Sequence, residues 1–134
     1  MCIRDSKYSV TYDIAGIDEV YILGNIAILN IGFCNLLSTL IESGYTFVKE
    51  SVNLNIMANK RDGFARIIFE SNFKIPSSLI PLIYEPWVVI EGKNFDKWGF
   101  AIAREVALLH NGNFEVLSIE RGIASTMDLP IYRE

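Results

Sequence analysis

Hydrophobic residues recur along the chain with two different periods. Residues 8–13 and 19–23 are rich in Tyr, Val, Ile and Thr and predict two short strands parted by Ala15-Gly16. From Asn25 the period changes: Leu29, Phe33, Leu36, Leu37 and Leu40 fall at helical spacing, which predicts a helix capped by Asn25, running to about Ser43 and ended by Gly44. "FVKESVNLNIMA" and "FARIIFE" return to strand character, and "NKRDG" between them supplies the turn of an antiparallel hairpin. After "IPSSLIPLIYEPW" and a loop over residues 88–98, a second helix is predicted from Gly99 to His110. Ile102, Ala103, Val106, Ala107 and Leu109 share its apolar face, with Arg104 and Glu105 pointing away. Asn111-Gly112 stops it. "NFEVLSI" and "ASTMDLPIY" close the chain as two further strands. The order predicts an α+β fold, a two-layer α/β sandwich with a mixed, mostly antiparallel sheet and helices on one face.

Composition narrows this little. A chain of 134 residues with 51% hydrophobic content builds one core. Twelve Lys and Arg against 16 Asp and Glu leave a formal charge of -4, so the basic footprint of a nucleic-acid partner is missing. Two cysteines, Cys2 and Cys34, make neither a disulfide framework nor a zinc set, and a reducing cytoplasm is the default expectation. "MCIRDS" has no periodicity and reads as a translated adapter remnant. Residues 1–6 are therefore set apart from a domain over 7–134, and a native N-terminal part is expected to be missing. The uncharged run from Val20 to Ile41 is long enough to span a bilayer. Its asparagines, Asn25, Asn30 and Asn35, and its acidic flanks Asp18, Glu19 and Glu42 argue for a core helix instead.

Four segments, in order, carry a resemblance: "GNIAILNIGFCNLLSTLIESG", "IPSSLIPLIYEPW", "GFAIAREVALLHNG" and "GIASTMDLP". Together they resemble the catalytic ATP-binding domain of two-component sensor histidine kinases, the Bergerat-type fold, over nearly everything from Val20 to Ile131. The resemblance implies a cytoplasmic bacterial signalling domain that works with a dimerisation and phosphotransfer helical domain, missing upstream or supplied in trans, and with a response regulator. It implies Mg-ATP as the cofactor and a membrane link only through a missing upstream segment.

The family's nucleotide contacts map onto Asn35, Thr39, Glu42, Glu70, Asn72, Lys74, Lys97 and Gly99, and most of them depart from its pattern. The N box keeps its first Asn as Asn35, but its magnesium-binding Asn is Thr39 and its phosphate-binding Lys is Glu42. Unit charges about 4 Å apart near a protein surface interact by about 4 kcal/mol, so a carboxylate in place of an ammonium repels phosphate by several kcal/mol. The adenine-binding D-x-G-x-G becomes Glu70 to Lys74, with Asn72 and Lys74 in the glycine places. The lid's G-x-G-x-G becomes Phe95, Lys97 and Gly99. Glycine allows close backbone approach to a ligand, which these side chains do not.

Lys74, Lys93 and Lys97 admit an opposite reading, in which cations replace the lost amides as phosphate contacts. Asn35, Glu42 and Glu70 have equally plain structural readings, as a bonded polar residue and two solvated charges. His110 sits at a helix C-terminus, in the family's structural H-G-G position. The phosphoaccepting histidine belongs to the upstream helices, so no catalytic residue and no protein metal-ligand set is assigned. Trp87 and Trp98 are expected to be core or lid-packing aromatics. Three readings stay open: a pseudo-kinase docking module without ATP, an active Mg-ATP-binding kinase domain that passes phosphate to a histidine elsewhere, and a membrane-anchored fragment built on residues 20–41.

Overall fold

A computed structural model describes residues 10–15, 24–47, 52–85 and 98–131. The elements in chain order are β1 (Val10–Ala15), α1 (Ile26–Phe47), β2 (Val52–Arg61), β3 (Phe64–Ser71), a 3-10 turn (Ser77–Leu82), α2 (Trp98–Leu109), β4 (Asn113–Ile119) and β5 (Gly122–Pro130). Five strands form one sheet in the order β1-β2-β3-β5-β4. Among the described residues only β1 on β2 is parallel; the other three pairings are antiparallel. This is the mixed, mostly antiparallel two-layer sandwich the periodicities predict. The strand expected over 19–23 lies outside the described residues.

Local chemistry explains where the elements begin and end. The Asn25 side chain accepts a hydrogen bond from the Ile28 amide at 3.1 Å, as an N-cap does. The β2–β3 hairpin turns on Asp62 (φ 50) and Gly63 (φ 83), two left-handed residues in succession. That is the two-residue turn whose twist matches antiparallel strands. At the end of α2, Asn111 takes the left-handed seat (φ 60), and the Gly112 amide reaches back to the Ala107 carbonyl at 2.8 Å. The predicted Asn-Gly stop is thus a Schellman closure.

Gly44 does not end α1, which runs on to Phe47. A Cβ there would meet Val52 Cγ2 at 2.5 Å, so this glycine serves the close approach of α1 to β2 and not a helix stop. Leu109 also departs from expectation at 69% exposed. It lies two residues beyond buried Ala107, roughly 200° round the helix, and so faces away from the core.

The core fills the space between the helices and one sheet face. Leu36 and Leu40 of α1 and Phe100 and Ala103 of α2 are fully buried over Val52, Leu54, Phe69, Ile123, Met127 and Leu129 of the strands. α1 is long and apolar enough to cross a membrane by length and composition. Its buried stripe, however, belongs to this core. On the opposite sheet face, Arg66 and Asp128 are paired in register on β3 and β5 and joined by two hydrogen bonds of 2.8 and 3.0 Å.

Candidate functional site

The two helices run antiparallel, and three contacts fix their closeness. At one end the Asn25 amide donates to His110 Nε2 at 3.2 Å, while His110 Nδ1 lies 2.8 Å from the Val106 carbonyl. Donating to that carbonyl and accepting from that amide requires the neutral ring with its proton on Nδ1. His110 is therefore a tie between helix ends, in keeping with a structural role. In the middle, Gly32 lies so close to Val106 that a Cβ would meet its side chain at 3.0 Å.

The third contact occupies the place where the resemblance puts metal and phosphate. Thr39 is fully buried, and its hydroxyl accepts a hydrogen bond from the Gly99 amide at 2.9 Å. Free amides at a helix start are what an anion needs; here one of them is already satisfied by a side chain 60 residues away. Steric closure accompanies the bond. A Cβ on Gly99 would lie 2.1 Å from the Asn35 carbonyl oxygen and 2.2 Å from Thr39 Oγ1. Gly99 is retained here because α1 presses on it.

The remaining predicted residues are dispersed around this junction. Asn35, half-buried, turns its amide nitrogen to the Ile31 carbonyl of its own helix at 2.7 Å. Glu42 and Lys74 are exposed. Lys97, with Phe95, Lys93 and Trp87, lies outside the described residues. Trp98, expected to be a core or lid-packing aromatic, is 57% exposed at the start of α2, and the lid residues before it lie outside the described residues.

Glu70 stands on the far side of the sheet. Side chains along a strand alternate between faces, and on β3 the helix-facing positions are Phe69, whose ring centroid is 6.3 Å from that of Phe33 on α1, and buried Ser71. Glu70, between them, faces away from α1 and pairs in register with Asn55 and Ala124. Asn72 accepts from the Asn53 amide at 3.0 Å just past the strand end. The structure thus brings together Asn35, Thr39 and Gly99, and separates them from Glu70 by the thickness of the sheet.

Magnesium requires oxygen ligands in near-octahedral array; the Thr39 hydroxyl is sealed from solvent and committed to Gly99, and the helix-facing neighbour of Glu70 is a phenyl ring. Among the described residues no three His, Cys, Asp or Glu side chains converge.

Tyr84 plays an unforeseen part. Its hydroxyl accepts from the Val116 amide at 2.8 Å on β4, its ring meets Phe114 edge-on at 6.3 Å, and the Arg104 guanidinium lies 5.2 Å from its centroid. It ties the segment before residue 86 to both β4 and α2. Burial pushes the phenol pKa up, against the opposing pull of the Val116 amide and Arg104. A tyrosine in the "IYEPW" stretch was the available signal, since a half-buried phenol needs a partner.

No family model and no curated protein matches this sequence. Solved structures do match. The mycobacterial sensor histidine kinase MprB superposes with a TM-score of 0.75 at 16% identity, covering 93% of this chain and 86% of that one. The nucleotide-free catalytic domain of histidine kinase ThkA gives 0.74 at 18%, covering 93% and 82%. The ATP-binding domain of PrrB from Mycobacterium tuberculosis gives 0.69 at 17%, covering 92% and 82%. The fold is that of histidine kinase catalytic ATP-binding domains.

Proposed function

We propose that this chain, built on the histidine kinase catalytic fold, is a pseudo-kinase module of a bacterial two-component or phosphorelay protein. It has given up Mg-ATP and acts by docking. Its expected partners are a dimerisation and phosphotransfer helical domain, upstream or in trans, and a response regulator, all in the cytoplasm. Fold alone does not assign function; the site must. The single observation that supports the loss is the Thr39–Gly99 bond of 2.9 Å, with the Asn35 carbonyl at the place a Gly99 Cβ would need. A triphosphate on the α2 N-terminus would have to break that bond and part the helices.

Thermal unfolding with and without Mg-ATP tests the reading. A nucleotide present at a hundredfold over its Kd adds about 2.7 kcal/mol of stability. The proposal expects no shift at millimolar Mg-ATP, and a shift of that size would return the chain to the active kinases. Thr39→Asn with Glu42→Lys restores the family's N box side chains. The expected result is still no shift, because Glu70 remains on the other sheet face and Thr39 has no room around it for a larger side chain.

A further inference from the structure

On the sheet face opposite α1 and α2, two small residues of β5 leave low ground between longer neighbours. Gly122 and Ala124 occupy successive positions on that face, because the intervening Ile123 and the following Ser125 point into the core. Across the sheet one row reads Asn55, Glu70, Ala124, Leu117, so Ala124 lies low between longer neighbours and is only 7% exposed. Gly122 extends the low floor beside Ile119, its register partner. A Cβ on Gly122 would lie 1.9 Å from the Ser71 carbonyl oxygen, so the floor cannot be filled by substitution without moving backbone. Asn53, Asn55, Glu70, Asn72, Ile119 and Arg121 border an open space of about 180 Å³.

Two features say what this space takes. It falls below the roughly 300–1,000 Å³ of sites for drug-sized molecules, which suits a small ligand. Its charge is bipolar: the Glu70 carboxylate stands on β3, and the Arg121 guanidinium stands on the β4–β5 turn. Neither is in an ion pair among the described residues. The carboxamides of Asn53 and Asn55 on β2 line the side of the space beyond Glu70 as further donors and acceptors.

We propose that this space binds a small zwitterion of the α-amino-acid class, with its ammonium on Glu70 and its carboxylate on the planar fork of Arg121. This site is independent of the helix-side junction and stands whether or not the domain binds ATP. It gives Glu70 a role on the face where it is found.

The test is amide NMR of the full chain titrated with glycine, L-serine and L-asparagine, each also as its methyl ester and its N-acetyl derivative. The expected result is saturable shifts at residues 53–55 and 119–124 with at least one free amino acid, weakened at least tenfold in the ester, which lacks the carboxylate, and in the acetylated form, which lacks the ammonium. Glu70→Gln and Arg121→Gln should each weaken the same response at least tenfold while leaving the melting temperature in place. The absence of saturable shifts from all three amino acids up to about 10 mM overturns the proposal. So does an undiminished response in either variant or with the blocked derivatives.

Discussion

Replacing Thr39 by valine isolates the bond between the two helices. The substitution keeps the branched shape and exchanges one hydroxyl for a methyl, so packing around the fully buried site is conserved and the acceptor for the Gly99 amide is removed. Two magnitudes bound the effect. Losing a side-chain cap at a helix start costs about 0.5–2 kcal/mol, and leaving a buried donor unpaired costs about 1–3 kcal/mol. Gly99 is itself buried, so water does not replace the hydroxyl and the upper range applies, about 2–3 kcal/mol. Urea unfolding measures it directly, as a lower midpoint at unchanged slope; in a thermal melt the loss amounts to roughly 4 °C per kcal/mol for a domain of this size. Thr39→Ser is the control. It keeps the hydroxyl and loses a methyl, so it should cost about 1 kcal/mol, less than valine. Valine equal to wild type, or serine worse than valine, would refute the reasoning that the hydroxyl and not the volume is what the junction uses.

Other consequences are as specific. Gly99→Ala sets a Cβ against the Asn35 backbone carbonyl as well as the buried Thr39 side chain, so it should cost about 3 kcal/mol or more in the same denaturation assay. Ser125→Ala should be neutral or stabilising by about 1 kcal/mol, because the Ser125 hydroxyl is wholly buried without a hydrogen-bond partner and its removal relieves a desolvation cost. Tyr84 contributes to the alkaline pH dependence. Its folded pKa lies above the unfolded value, so the neutral phenol's contribution is complete below about pH 10 and is lost as pH rises through the folded value. Unfolding free energy measured on the alkaline side should therefore fall more steeply with pH in the wild type than in Tyr84→Phe.

Much of the fold was legible because it rests on local signals that agree. The Asn25 cap, the Asp62-Gly63 turn and the Asn111-Gly112 stop each follow from the conformations those residues tolerate. Gly44 shows the limit of such signals, since a glycine that admits a neighbouring strand looks, in sequence, like one that ends a helix. The candidate site was legible only in part. Matching letters placed Glu70 at a ligand position, yet the face of a strand residue depends on register, and a slip of one position moves every side chain to the other side. Phe69, not Glu70, faces α1. Nor did the sequence show that Thr39 would be met by Gly99, because that bond joins elements 60 residues apart and exists only when the helices close.

Isothermal titration of the full chain with ATP, in the presence and absence of magnesium, bears most directly on the claim that the fold persists without its nucleotide site. The account predicts no saturable heat up to millimolar nucleotide under either condition. Magnesium-dependent binding in the micromolar range would contradict it, and would require the Thr39–Gly99 junction to open in solution.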